Sequence, residues 1–225
     1  MAVELPFGVI AVAGMAFEAR IAARTGTPVV YVGDTRKLTD VLISAIGKDC
    51  RGLISFGVAG GLSPALKAGT CIVASVVHAG TTRFATDENW SWNLLQAMPR
   101  AIRGEIAGVA APVVHMEEKR ALHIGTGALA VDTESHVVAS VAAARGLPMA
   151  AVRVITDSAH YSLPQSALAA MRADGTIDIA GMIRSIVKVP GEFPILLRTA
   201  RDALVSGLAL HRSRRLLGAS FGLPD

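Results

Sequence analysis

With 225 residues, 52% of them hydrophobic and only 18% charged, the chain has the length of one α/β domain and enough apolar material for a large core. Its mean hydropathy is high, +0.47, yet no run of about 18 uncharged apolar residues occurs, so a membrane-spanning helix is not expected. The formal net charge is +4, which admits anionic partners, but the aromatic motifs of RNA-binding modules are missing and no nucleic-acid partner is expected.

The apolar start carries Glu4 and no basic residue, and is expected to be a buried first strand rather than a secretory signal. Residues 8–13 read as a strand, 16–24 as a helix, 28–32 as a second strand and 38–46 as a helix. A third strand, 52–56, is expected to end in a glycine-rich turn, 57–61. Further strands are expected at 71–77, 109–115, 128–131 and 149–155, with helices at 135–145 and 194–217. Near-continuous apolar strands predict a sheet covered on both faces. Their alternation with helices predicts an α/β sandwich. With no repeat, linker or charge block, a single domain over 1–225 is expected. Cys50 and Cys71 lie beside strand-like runs and suit reduced thiols in the cytoplasm better than a disulfide framework.

Ligands of open α/β sheets bind beyond the carboxyl ends of strands, and the polar groups of this chain gather there. Glu18 follows the first strand and the Gly57-Val58-Ala59 loop the third. Asp132 and Glu134 follow the sixth, and Asp157 ends the seventh. Each has a plainer reading. Asp132 or Thr133 would cap the next helix, Glu134 would suit its first turn, and Asp157 would cap a turn. Arg153 lies inside an apolar run and is costly to bury unpaired, so Asp132, Glu134 or Asp157 is its expected partner.

Other chemistries find little support. The glycines fit neither GxGxxG nor a Walker A loop, which disfavours a dinucleotide-dependent oxidoreductase. His78, His115, His123, His136, His160 and His211 show no metal-ligand spacing, so no metal site is expected. Trp90 and Trp92 are expected to pack or to line a rim.

Four segments in order, GMAFE ending at Glu18, FGVAGGLSPALKAGT, AVDTESHVVA and VRVITDSA, resemble the nucleoside phosphorylase and nucleosidase superfamily over nearly the whole chain. That superfamily includes purine and uridine phosphorylases and methylthioadenosine/S-adenosylhomocysteine nucleosidases. The DTESH motif, the short connection 117–128 and the basic end RSRRLLG are most similar to its hopanoid-associated phosphorylase branch. The resemblance implies a three-layer α/β sandwich with a mixed, mostly parallel central sheet flanked by helices. It implies cleavage of the N-glycosidic bond of a 5′-modified adenosine, adenosylhopane by that branch, with release of adenine by phosphorolysis or hydrolysis. The alternatives are a methylthioadenosine/S-adenosylhomocysteine-type nucleosidase and a non-catalytic nucleoside-binding or membrane-surface module.

Residue by residue, the resemblance makes Glu134 the grip on the ribose hydroxyls and Asp157 the hydrogen-bond partner or acid at purine N7. Glu18 orients or activates the nucleophile, Gly57, Val58 and Ala59 form the loop beside it, and Asp132 and Thr133 adjoin the sugar. The chain departs from the family pattern at Thr133, where a Met is usual, at Val58, where many relatives carry a hydroxyl, and at Ser55, where some carry a phosphate-binding Arg. If phosphate is the co-substrate, Arg20 and Arg83 are the candidate cations; no other cofactor is expected. A homo-oligomer with a lipid-linked or small nucleoside substrate is implied. The last helix, whose end carries Arg212, Arg214 and Arg215, has two readings: a docked amphipathic helix with a solvated basic face, or a contact with an anionic membrane surface.

Overall fold

The computed structural model describes residues 8–162 and 193–224; the expected strand start around Glu4 lies outside them. Eight strands form one sheet: β1 (Val9–Ala13), β2 (Val29–Tyr31), β3 (Gly52–Gly61), β4 (Cys71–Ala79), β5 (Thr82–Ala85), β6 (Ile102–Gly108), β7 (Ala130–Asp132) and β8 (Met149–Asp157). The helices among the described residues are α1 (Ala16–Ala22), α2 (Leu38–Ala45), α3 (Glu88–Ala97), α4 (Met116–Thr126), α5 (Ser135–Arg145) and α6 (Phe193–Leu216). Five of the eight strand pairings are parallel, so the sheet is mixed and mostly parallel, as expected.

The side-chain period of two divides the core into two layers. Ile10 and Val12 of β1 and Met149, Ala151 and Ile155 of β8 pack with Leu38 and Leu42 of α2 and Val138, Ala139, Val141 and Ala142 of α5. Their neighbours Val9, Ala11, Ala150, Val152 and Val154 pack instead with Ile21 of α1, Trp90 and Leu94 of α3 and Leu210 of α6. Helices therefore cover both faces, and the strands read as unbroken apolar runs because both faces are dry.

The sheet also closes on itself. β3 pairs with β8 on one side and β7 on the other; β8 pairs with β4, β4 with β6, and β6 with β7. Gly60 is the joint of this ring, opposite Val131 of β7 and Asp157 of β8 at once.

Two expectations need correction. The glycines at 57–61 form no turn; they are the second half of β3. They are there for room, since a Cβ at Gly57 would lie 2.5 Å from a Glu18 carboxylate oxygen and one at Gly61 2.9 Å from the Asp157 carbonyl. The expected strand at 109–115 is irregular chain, with Pro112 inside it; the strand is β6, immediately before it. β6 escaped notice because its exposed Arg103 and its Glu105, bonded to His78 and Arg83, break the apolar run. Of the two expected roles, Trp90 takes packing. It is wholly buried and its indole N–H donates to the Phe221 carbonyl at 2.8 Å, whereas Trp92 is 61% exposed.

Arg214 corrects the basic surface expected at the end of α6. Arg212 and Arg215 are exposed, but Arg214 is 1% exposed and faces the protein. Its Nε donates to the Ala22 carbonyl at 2.8 Å, Nη1 to the Gly218 carbonyl and Nη2 to the Thr27 hydroxyl at 2.8 Å, while its plane stacks on Phe221 at 3.9 Å. Truncation to alanine strands several buried acceptors. Arg214→Ala is expected to lower stability by about 2–4 kcal/mol, read as a lower urea midpoint. Arg212→Ala is expected to leave the midpoint nearly unchanged.

Candidate active site

Arg153 decides how one end of the sheet is built. It points with Met149, Ala151 and Ile155 toward α5 and is completely buried. Its register partner on β3 is Gly57, and a Cβ there would come within 2.6 Å of Nη1. A buried guanidinium demands counter-charges and acceptors. Nε pairs with Asp132 Oδ2 at 2.6 Å and Nη2 with Glu134 Oε2 at 3.3 Å. Nη2 also donates to the Ser55 hydroxyl at 2.6 Å, and Nη1 to the Val58 carbonyl at 3.4 Å. Burial by itself would weaken the guanidinium's hold on its proton, but Asp132, Glu134 and Glu18 together raise its pKa above the ordinary value.

Asp132 settles as a helix-opening residue that also serves the arginine. Oδ1 accepts the amides of Glu134 at 3.2 Å and Ser135 at 2.9 Å, and Oδ2 accepts the Ser135 hydroxyl. Asp132 thus serves the start of α5 and the arginine at once, although the N-cap residue itself is Glu134. The Ser135 hydroxyl lies 3.1 Å from that of Ser55, which is wholly buried beneath it.

Glu134, immediately before α5, turns its carboxylate toward the loop after β1. Thr133 donates its hydroxyl to Oε1, and a Cβ at Gly14 would lie 2.3 Å from the same atom. Burial raises the Glu134 pKa; Arg153 opposes this and Asp132 reinforces it. Glu18 projects from α1 into the same space and is 2% exposed. Its Oε2 accepts the amides of Gly14 at 2.9 Å and Met15 at 2.8 Å, and Oε1 that of Val58 at 2.7 Å. Desolvation nevertheless dominates and, against the pull of Arg153, pushes the Glu18 pKa up to about 7.

Asp157 stands apart from this network. It ends β8, and its side chain is 14% exposed beside Gly60, where a Cβ would lie 3.5 Å from Oδ2. Its partner is not Arg153 but Lys119 of α4, a residue that sequence reasoning missed. Burial raises the Asp157 pKa, Lys119 pulls it down, and Asp202 of α6 adds to the rise.

Glu18, Gly57, Val58, Asp132, Thr133 and Glu134 therefore come together around Arg153, with Asp157 further along the same strand, at the end of β8. Ala59 does not present its side chain to them, because its methyl packs in the core. Arg20 is exposed and, among the described residues, pairs with none of the site carboxylates. Arg83 is tied to Glu105 of β6 at 2.7 Å and is 59% exposed. His136, which follows Ser135, packs on Gly108, and its Nδ1 is buried without a partner among the described residues.

Comparison with known proteins agrees with this architecture. A family model described as the phosphorylase superfamily matches residues 11–188. No curated sequence gave a significant match. Among solved structures, a Helicobacter pylori 5′-methylthioadenosine/S-adenosyl homocysteine nucleosidase, in complex with an aminopyrrolopyrimidine-bearing pyrrolidinol, superposes with a TM-score of 0.63. It is 17% identical, over 93% of this chain and 95% of that one. The futalosine hydrolase of Helicobacter pylori gives 0.61 at 18% identity, over 92% and 96%. A 5′-methylthioadenosine/S-adenosylhomocysteine nucleosidase from Colwellia psychrerythraea, in complex with adenine, gives 0.59 at 15% identity, over 78% and 92%. At such identities the structures speak for the fold, and the family model speaks for the lineage. The chain belongs to the phosphorylase superfamily, as an enzyme of the nucleoside phosphorylase or nucleosidase kind.

Proposed function

We propose that the chain cleaves the N-glycosidic bond of a 5′-modified adenosine, with adenosylhopane as the expected substrate, and releases adenine. The observation that carries this reading is the division of the site's acids into two groups. Glu18 and Glu134 surround Arg153 near the ends of β1 and β7, and Asp157 stands alone at the end of β8. Breaking the bond leaves positive charge on the ribose ring and negative charge on the base, so it calls for carboxylate at one end and an acid at the other. Glu134 would hold the ribose hydroxyls and face the developing cation. Asp157 would give its proton to N7 as the bonding pair moves into the base. Glu18, with its pKa of about 7, would take a proton from the nucleophile.

Water suits this arrangement better than phosphate. Phosphate needs cationic or N–H donors, yet Arg153 is consumed by Asp132, Glu134 and Ser55, and Arg83 by Glu105. We therefore favour hydrolysis, with phosphorolysis through Arg20 or Arg83 as the outcome that would reverse the choice. The discriminating experiment measures adenine release from adenosylhopane and from methylthioadenosine, each with and without phosphate. Preference for methylthioadenosine would reassign the substrate to the nucleosidase type. Failure to release adenine from any 5′-substituted adenosine would leave a non-catalytic nucleoside-binding module.

A peripheral membrane contact remains part of the proposal on narrower ground. α6 exposes Leu197, Leu204 and Leu208 together with Arg201, Arg212 and Arg215. Liposome flotation checks it: Arg212→Glu with Arg215→Glu is expected to abolish binding to anionic vesicles, and equal flotation of both proteins refutes the contact.

Two kinetic outcomes are expected. Asp157→Asn should slow turnover at least about a hundredfold, the scale of general-acid effects, measured as adenine release. A base must be ionised, so the rate should rise with pH through about 7 as Glu18 loses its proton. An opposing limb should mark loss of the Asp157 proton, which burial displaces upward in pH from the ordinary carboxyl range. Glu18→Gln should remove the limb near pH 7, and a limb that survives the substitution belongs to another group.

A further inference from the structure

We propose that Lys119 is the positioning residue for Asp157, fixing its carboxylate beside Gly60 and stabilising the anion that is left when Asp157 gives up its proton. This rests on the reading of Asp157 as the acid to the leaving base.

Lys119 is 0% exposed, which is rare for a lysine without a specific partner. An ammonium has three protons to place, and three acceptors meet Nζ: the Asp157 carboxylate, the Ser158 carbonyl at 3.2 Å and the Tyr161 carbonyl at 3.2 Å. Every donor is used, and each acceptor lies at or just beyond the end of β8. The cation is thus held where Asp157 changes charge. Among the described residues, the other elements around Asp157 bring few charges. β3 contributes only Gly60 and Gly61, and α6 brings Asp202, which pairs with Arg198 at 4.0 Å.

The proton balance gives Lys119 its role. As the C–N bond breaks, its electron pair goes to the base, and the Asp157 proton follows to the base nitrogen. Asp157 becomes a carboxylate. The Lys119 side chain faces negative charge that is absent before the step and present after it. A lysine that only stapled α4 to β8 would have no such dependence. The two roles differ in pH behaviour. Burial and Asp202 make Asp157 hold its proton more tightly and Lys119 makes it hold less tightly, so loss of Lys119 should keep the acid form to higher pH.

The test compares the full-length protein with Lys119→Met, Lys119→Arg, Asp157→Asn and the Lys119→Met/Asp157→Asn double variant. Base release is followed against pH. The Asp157 carboxyl is titrated by 13C NMR, with its resonance assigned by loss in Asp157→Asn. In Lys119→Met, base release at neutral pH should drop about tenfold or more. The alkaline limb and the carboxyl titration should both move up by about one pH unit or more, the scale of an opposite charge at contact distance. Lys119→Arg should restore both toward the original pH, and the double variant should be no slower than Asp157→Asn alone. If Lys119→Met does not fold, Lys119→Gln, which keeps a donor without the charge, makes the same comparison. A folded neutral variant whose limb and titration stay in place overturns the proposal. A protein that releases no base, but whose Asp157 titration moves when Lys119 is neutralised, has lost the proposed reaction and kept the coupling.

Discussion

A guanidinium cannot be taken out of water without partners, and Arg153 is completely buried, in line with Met149, Ala151 and Ile155. Much of the surrounding arrangement answers that demand. Gly57 gives up a side chain to make room, Ser55 and Ser135 turn their hydroxyls inward, and Asp132 both opens α5 and neutralises Nε. Because Asp132 and Glu134 bracket one turn of chain, the same cation that satisfies the first draws in the second. The arginine is thus the element by which a helix start and a strand end become one rigid corner.

That corner carries more negative than positive charge. Glu18, Asp132 and Glu134 face a single guanidinium, and the surplus is expressed as reluctance to ionise: burial raises Glu134 and brings Glu18 to about 7. Three backbone amides converge on Glu18 and still do not offset its desolvation. A carboxyl poised in this way exchanges its proton near neutrality. Asp157 is treated differently, with a dedicated ammonium on α4 rather than a share of the arginine. The two ends of the site are therefore tuned by separate counter-ions.

How much of this was legible in the chain follows from how local each cause is. α5 was readable to the residue, because its apolar face and the acids before it lie within one stretch. The carboxylates stood out because acids at the ends of apolar strands have few plain reasons to be there. Arg153 announced a partner by lying inside VRVITD, although three partners were possible and the pairing falls on two. Lys119 gave no signal. In MEEKRALHIGT it resembles any solvated helix lysine, and the carboxylate that buries it is 38 positions away. β6 was hidden for a related reason, since its charged residues find partners only after β4 and β5 have come alongside. The run of glycines in β3 was misread because the side chains needing their space come from α1 and β8.

The closure of the sheet at Gly60 acts as a ruler. β7 and β8 flank β3 at that one residue, so the segment bearing Glu134 and the strand bearing Asp157 stand two strand spacings apart, roughly 10 Å between backbones. Hydrogen-bonded strands hold that spacing to within a few tenths of an ångström, whatever side chains they carry. Substitution can exchange the groups that reach into the gap, but the gap itself belongs to the backbone. A molecule reaching both acids must span an interval that the backbone sets.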